Sequence, residues 1–268
     1  VQSVALGLFG VAFSVAAFPA LSAYAALKQG KEFFAVLSDA ARRILFFVLP
    51  LSALMIVFRA QFVRVILGSG HFNWEDTIVT FNVLAWLSVS LFAQSLIPLF
   101  ARAFFALQNT KTPLYIALGA EAFHIALLLF LKQSDYFSIE MLAAAFSSAT
   151  IVNLLLLYLA LKREATYWDD ARMFTPAMKI ALAAILAGLF AQVSKYVFAL
   201  TTNELDTFVE VFLQLFFGLS IGGSAYLALC VWLQVEELQV LKRFIWCRIL
   251  RQPETLASAE DHPEKGEW

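Results

Sequence analysis

Charge is scarce in this 268-residue sequence: Asp, Glu, Lys and Arg together make up 15% of it. A soluble domain carries about 25%. The net charge is −1, so no bulk excess of either sign points to a nucleic-acid partner. Cysteine is nearly absent. Cys230 and Cys247 are too few for a disulfide framework and lack metal-ligand spacing. Catalytic signatures are missing too: there is no HExxH, no GxxxxGK[ST], no defensible Ser-His-Asp order and no paired carboxylate site. His71 and Glu75-Asp76 share one stretch that reads as a solvated turn. These absences argue against an enzyme and leave no catalytic or metal-ligating residue to name.

Apolar side chains are what the sequence has. They account for 61% of residues, Phe occurs 27 times, and the mean hydropathy is +0.77. A water-soluble chain of this length could not bury that much apolar surface, which leaves a polytopic membrane protein. Crossing a hydrocarbon core of roughly 30 Å takes about 20 mostly apolar residues. Seven stretches qualify, at about 4–25, 44–67, 79–105, 113–132, 139–161, 176–200 and 208–233. Their apolar runs are continuous, whereas barrel strands alternate in ten-residue pieces. The expected fold is all-α: a bundle of seven transmembrane helices whose backbone hydrogen bonds are satisfied internally.

The gaps between the runs carry turn chemistry. Gly68-Ser69-Gly70 with Asn73 makes a turn. Asn109-Thr110-Lys111-Thr112-Pro113 makes a tight connector, its proline suited to a first helical turn. Lys132-Gln133-Ser134-Asp135 and Thr201-Thr202-Asn203-Glu204 are polar caps, and Asp169-Asp170-Ala171-Arg172 sits in the longest interior loop. Orientation follows from Lys and Arg placement. Arg59, Arg64, Lys132 and Lys195 fall on one side; the other fifteen of the nineteen fall on the opposite side. Odd-numbered loops and the C-terminus are therefore expected in the cytoplasm. Residues 235–251 read either as a basic interfacial helix or as a plain cytoplasmic end to the last span. The stretch from Gln252 onward has a disordered composition. Val1 is not an initiator Met, and residues 1–25 show neither a basic n-region nor a cleavage site. The chain is expected to be the C-terminal part of a longer protein.

Polar residues at membrane depth are costly, about 2.5–3.5 kcal/mol each for charged ones on insertion scales, so each asks for a reason. Glu121 and His124 lie three apart in the fourth span and share a helical face. They are candidates for a coupling ion or proton, or for a packing hydrogen bond. Ser90 and Gln94 lie four apart in the third span. Asn153, Ser147, Ser148 and Thr150 decorate the fifth. Such residues commonly hold helices together, but Ser90, Gln94 and Asn153 are also candidates to line a cavity. Lys195 can snorkel; Gln214 reads similarly. Gly218, Gly222 and Gly223 form a small-residue face for close helix contact. A many-helix bundle with sparse intramembrane polar groups reads as a transporter.

Three motifs carry a family resemblance. Gly7-Leu8-Phe9-Gly10-Val11-Ala12 with Phe18-Pro19-Ala20-Leu21-Ser22 resembles a helix of the MurJ/MviN lipid II flippases, ending at the Pro-x-Leu-Ser stretch. Leu67-Gly68-Ser69-Gly70-His71-Phe72 resembles that family's outer turn. Arg102-Ala103-Phe104-Phe105-Ala106-Leu107-Gln108-Asn109-Thr110-Lys111-Thr112-Pro113 resembles its Arg-x-Phe-Tyr-Ala-Leu-x-Asp-Thr-Lys-Thr-Pro connector, with Phe105 and Asn109 departing from Tyr and Asp. Ala5 also stands where many members have Pro. The resemblance implies the last seven of fourteen helices in a fold of the MOP exporter superfamily. Residues 1–162 would be a five-span lobe, 163–234 a terminal pair grooved for a lipid tail, and 235–268 a basic amphipathic segment with a disordered tail.

The implied activity is movement of lipid II, an undecaprenyl-pyrophosphate-linked peptidoglycan precursor, across the bacterial inner membrane by alternating access. The implied partners are lipid II, membrane lipids and the missing N-terminal half. No nucleic acid is expected, and no cofactor other than a coupling cation such as sodium or a proton. The family's cavity arginines fall mostly in the first lobe. Arg102 is a further substrate-binding candidate, or else a positive-inside anchor. Alternatives are an exporter of another polyprenyl-linked oligosaccharide, such as O-antigen units, a multidrug antiporter, or a non-transporting scaffold.

Overall fold

A computed structural model describes residues 2–67, 74–133, 137–201 and 208–238. Among them every regular element is a helix. The chain begins with α1 (Gln2–Ala5), a π-helical stretch (Leu6–Val11) and α2 (Ala12–Ala26), which together form one span, Gln2–Ala26. There follow α3 (Gly30–Val57), the short α4 (Arg59–Leu67), α5 (Trp74–Val89), α6 (Leu91–Ala106), α7 (Lys111–Leu131), α8 (Ile139–Glu164), α9 (Asp170–Thr201) and α10 (Phe208–Trp232). Among the described residues, six helices are long and apolar enough to cross a membrane, and the pair Thr77–Val89 with Leu91–Ala106 makes a seventh span bent by 41°. This is a multi-pass membrane bundle, as the continuous apolar runs require.

α3 is the hub. One face meets α2, α5 and α6, with α8 joining through α6, in a core built around Leu21, Phe34, Leu37, Ile44, Met55, Leu99, Phe104 and Leu157. The other face receives α9 and α10, through Phe46 against Ile180, Ala184, Ala187, Tyr226 and Cys230, and through Leu54 and Phe58 against Ala191 and Leu215. Close approach of α10 needs its glycines. A Cβ on Gly218 would lie 2.1 Å from the buried Phe58 ring, and one on Gly222 would lie 2.6 Å from Leu54. A Cβ on Gly223 would meet nothing within 4 Å, so only two of the three small residues serve the contact. α7 is peripheral; it rests on α8, and Pro113 and Ala120 are its only buried residues.

Several boundaries differ from the sequence expectation. The second span is not 44–67: its helix starts at Gly30 and stops at Val57, and the following apolar run forms α4. Lys28, Lys31, Arg42 and Arg43 make the stretch before residue 44 read as a loop. In the fold Asp39 and Arg42 pair one helical turn apart, and Phe33, Phe34, Leu37 and Ala41 fill the core between them. The first span, expected at about 4–25, does agree: it runs through Pro19 to Ala26. Asp170–Arg172 belong to the first turn of α9 rather than to the interior loop, because Asp170 is held by Lys162 and by the Trp168 indole N–H at 2.9 Å. The turn at 68–73, with the second motif's Gly68 to Phe72, lies outside the described residues. So does most of the 235–251 segment and everything after it.

The third span breaks at Ser90, whose backbone (φ −89, ψ 0) leaves the helical region. A break at membrane depth strands carbonyl groups, and hydroxyl side chains can satisfy them. Here Ser52 donates to the Ser88 carbonyl (2.5 Å), Ser90 to the Leu87 carbonyl (3.2 Å) and Ser147 to the Trp86 carbonyl (2.7 Å), while Ser88 bonds back to the Leu84 carbonyl one turn earlier (2.7 Å). Four buried serines from α3, α5, α8 and the break itself thus make the bend affordable.

Candidate functional site

Below the break, α6, α7 and α8 enclose a cleft of about 290 Å³ whose polar lining is Gln94, Glu121, His124, Thr150 and Asn153. Three causes bring these side chains together. α6 restarts at Leu91, which sets Gln94 one turn below Ser90; their side chains bond at 2.9 Å. The spacing of Ala117, Ala120, Glu121 and His124 puts all four on one face of α7. In α8, Phe146, Ala149, Thr150 and Asn153 follow the same three-and-four rhythm. The first span closes the remaining side. Its π-helical stretch places Leu6 against the cleft, and Gly10 lets it approach α6 so closely that a Cβ there would lie 2.8 Å from the Ser95 Cα. π-Helical turns of this kind recur at functional sites. A neighbouring hollow of about 300 Å³ shares Leu6, Gln94 and Phe146 and adds Gln2, whose amide donates to Gln94 Oε1 at 2.6 Å.

Within the cleft, His124 Nδ1 lies 3.3 Å from Glu121 Oε1. The imidazole side chain is 16% exposed and sits edge-on to Phe146, while the Glu121 side chain is 67% exposed at the mouth. Thr150 donates to the Phe146 carbonyl at 2.8 Å, so its oxygen lone pairs stay available. Asn153 Oδ1 is buried and accepts no hydrogen bond among the described residues. A buried acceptor without a donor asks for a reason. Carboxylate, amide and hydroxyl oxygens together suit a hard cation.

The six sequence candidates do not all meet. Gln94, Glu121, His124 and Asn153 share the cleft. Ser90 is fully buried in the break, bonded to Ser147 at 3.1 Å, and does not line it. Arg102 lies two turns further along α6 and donates to the buried Ser14 hydroxyl of α2, tying the first and third spans together.

One feature escaped the sequence reading: a charge cluster at the lysine-rich end, where Arg42 reaches Asp39, Glu236 and the buried Glu237, and Arg172 lies 3.7 Å from Asp39. The Asp39–Arg42 spacing was visible, but its partners lie almost 200 residues away. Between α9 and α10, the pair for which the resemblance implies a tail groove, lies an apolar groove of about 600 Å³ lined by Phe190, Val193, Val197, Phe198, Phe217 and Ile221.

Comparison with known proteins agrees with this architecture. The probable lipid II flippase MurJ of Buchnera aphidicola subsp. Baizongia pistaciae is 27% identical over 222 residues, 82% of this chain and 42% of that protein. The probable lipid II flippase MurJ of Rhizobium meliloti is 31% identical over 201 residues, 74% of this chain and 37% of that protein. The chain thus spans less than half the length of these relatives. A solved structure of lipid II flippase MurJ in an inward closed conformation superposes with a TM-score of 0.65 at 23% identity, covering 93% of this chain and 45% of that one, which is a likeness of fold. The family model for lipid II flippase MurJ matches residues 1–217, and on that match the chain belongs to the MurJ family.

Proposed function

We propose that this chain is the second lobe and terminal helix pair of a lipid II flippase, acting by alternating access in the bacterial inner membrane with its C-terminus in the cytoplasm. The family match across residues 1–217 carries the reading. In this account residues 1–162 form the lobe, 163–234 the terminal pair and 235–268 the cytoplasmic tail. The cargo's chemistry fits the parts. A pyrophosphate-linked sugar cannot cross hydrocarbon unaided, because desolvating its charge costs far more than thermal energy supplies. It needs a polar cavity between this lobe and a partner lobe, while the polyprenyl tail can stay in an apolar channel. The groove between α9 and α10 has the lining for such a tail.

The cleft fits a coupling cation. Glu121 and Asn153 Oδ1 would hold it, with Thr150 as a third oxygen; the ion would supply an energy source outside the cargo itself. His124 beside Glu121 gives the same cleft a route to proton coupling. Glu121→Gln is expected to abolish the dependence of transport on sodium and pH, measured as lipid II accessibility in the outer leaflet. Unchanged dependence in the variant removes the cleft from coupling. The function itself is tested by depletion: the complete protein should restore growth to cells depleted of their own lipid II flippase. Correct insertion in the membrane without rescue contradicts the reading.

A further inference from the structure

We propose that a second cleft, between α3, α4 and α9, binds the phosphate-bearing head group of a membrane lipid through Arg59 and Lys195. The cleft holds about 620 Å³ and lies at the end of the bundle opposite the lysine-rich loops, the end that charge asymmetry assigns to the outer leaflet. Its floor is apolar: Ala53 and Val57 of α3, Ile185, Gly188 and Leu189 of α9. Its rim is cationic. Arg59, the first residue of α4, is held with its guanidinium over the Phe81 ring, 5.4 Å from the centroid. Lys195, from α9, lies 3.5 Å from the Val57 carbonyl oxygen. Gln192 adds an amide one turn below.

Three observations select the ligand. Among the described residues no carboxylate lines the cleft, and neither Arg59 nor Lys195 is in an ion pair. Two half-buried cations facing one cavity repel each other, and an anion bridging them turns that repulsion into two charge-assisted hydrogen bonds. A planar guanidinium beside an ammonium is a phosphate-binding pair. Finally, the floor opens sideways. Ile185 is 60% exposed and Leu189 58% exposed, so apolar surface continues from beneath the cations toward the lipid phase. Ile185 to Lys195 spans roughly 15 Å of helix, enough for an acyl chain to lie below its head group. A free phosphate would leave that surface unused, so the occupant is a lipid. This face of α9 is not the one that forms the groove with α10, and the site is separate from the Glu121 cleft.

The test uses the complete protein in nanodiscs of phosphatidylcholine containing phosphatidylglycerol, with retained lipid read by native mass spectrometry. Transport is not measured, so the outcome does not depend on the function proposed above. Wild type is expected to retain phosphatidylglycerol over phosphatidylcholine. The double variant Arg59→Gln with Lys195→Gln should bind it about a hundredfold or more weakly, since it loses two charge-assisted bonds and each is worth at least about tenfold. Gly188→Leu keeps both charges and fills the floor, where a Cβ already meets Ala53 at 3.5 Å; it should lose the lipid as well. The swap Arg59→Lys with Lys195→Arg keeps the charge and should keep the lipid, which separates loss of charge from loss of fold. Undiminished retention in the charge-removed variant, or equal retention of both lipids by wild type, overturns the proposal. Full displacement of the lipid by inorganic phosphate reassigns the cleft to free anions and overturns it too.

Discussion

Arg42→Met is expected to cost about 3–5 kcal/mol of stability, the range for removing one partner of a buried ion pair. Arg42 is 11% exposed and lies 2.6 Å from Asp39, 3.2 Å from Glu236 and 3.2 Å from Glu237. These contacts are unequal. Glu236 is 74% exposed, and a pair of that kind is worth little in water. Asp39 keeps a second cation, Arg172. Glu237 is 6% exposed, and its other carboxylate oxygen is buried without a hydrogen-bond partner among the described residues. Removing Arg42 therefore strands one buried carboxylate, and that desolvated charge is the source of the cost. Pairing the change with Glu237→Leu removes the stranded charge and should recover most of the loss. Unfolding in detergent, followed by tryptophan fluorescence, measures both variants. A double variant no more stable than the single one contradicts this account. Because the cluster fastens the chain after α10 to α3, the single variant should also become sensitive to protease just beyond Trp232.

The bundle was legible in the sequence because lipid leaves so little choice. A continuous apolar run of the right length has to be a helix, and the spans beginning near 113, 139 and 208 were placed to within a few residues. What failed was the boundary between charge and helix. Arg42 and Arg43 look like loop residues until a carboxylate 195 positions away comes to meet Arg42, and hydropathy carries no record of such a partner. The bend at Ser90 was hidden for a similar reason. Serine looks like packing glue on any helix, and only the fold shows four of them repairing one interrupted ladder. The polar cleft stands between these cases. Glu121 and His124 declared themselves by spacing on one helix, and Gln94 and Asn153 by being polar at depth. That the four converge depends on the packing of α6 and α8 beside α7, which no single span encodes. Arg102 and Ser90 were equally conspicuous in the sequence, but one ties α6 to α2 and the other sits inside the bend.

Gly10→Ala is expected to cost about 3 kcal/mol and to disable the cleft, whereas Gly7→Ala should be nearly silent. The two glycines belong to one motif, Gly7-Leu8-Phe9-Gly10, and both lie in the π-helical stretch. Their surroundings differ. A Cβ on Gly7 would meet nothing within 4 Å. A Cβ on Gly10 would lie 2.8 Å from the Ser95 Cα and 2.9 Å from the Ser95 carbonyl oxygen. Those are backbone atoms of α6, so no rotamer change can make room; the two helices must move apart. Overpacking of this kind typically costs 1–3 kcal/mol, and a backbone collision belongs near the top of that range. Separation there also reaches the site. Leu6 sits one turn before Gly10 and lines the cleft, and Gln2 holds Gln94 from the same segment. Gly10→Ala should therefore lower the thermal transition and impair rescue of flippase-depleted cells in parallel, while Gly7→Ala leaves both near wild type. Equal behaviour of the two variants would mean that the motif serves the conformation of the π-helical turn itself, not its contact with α6.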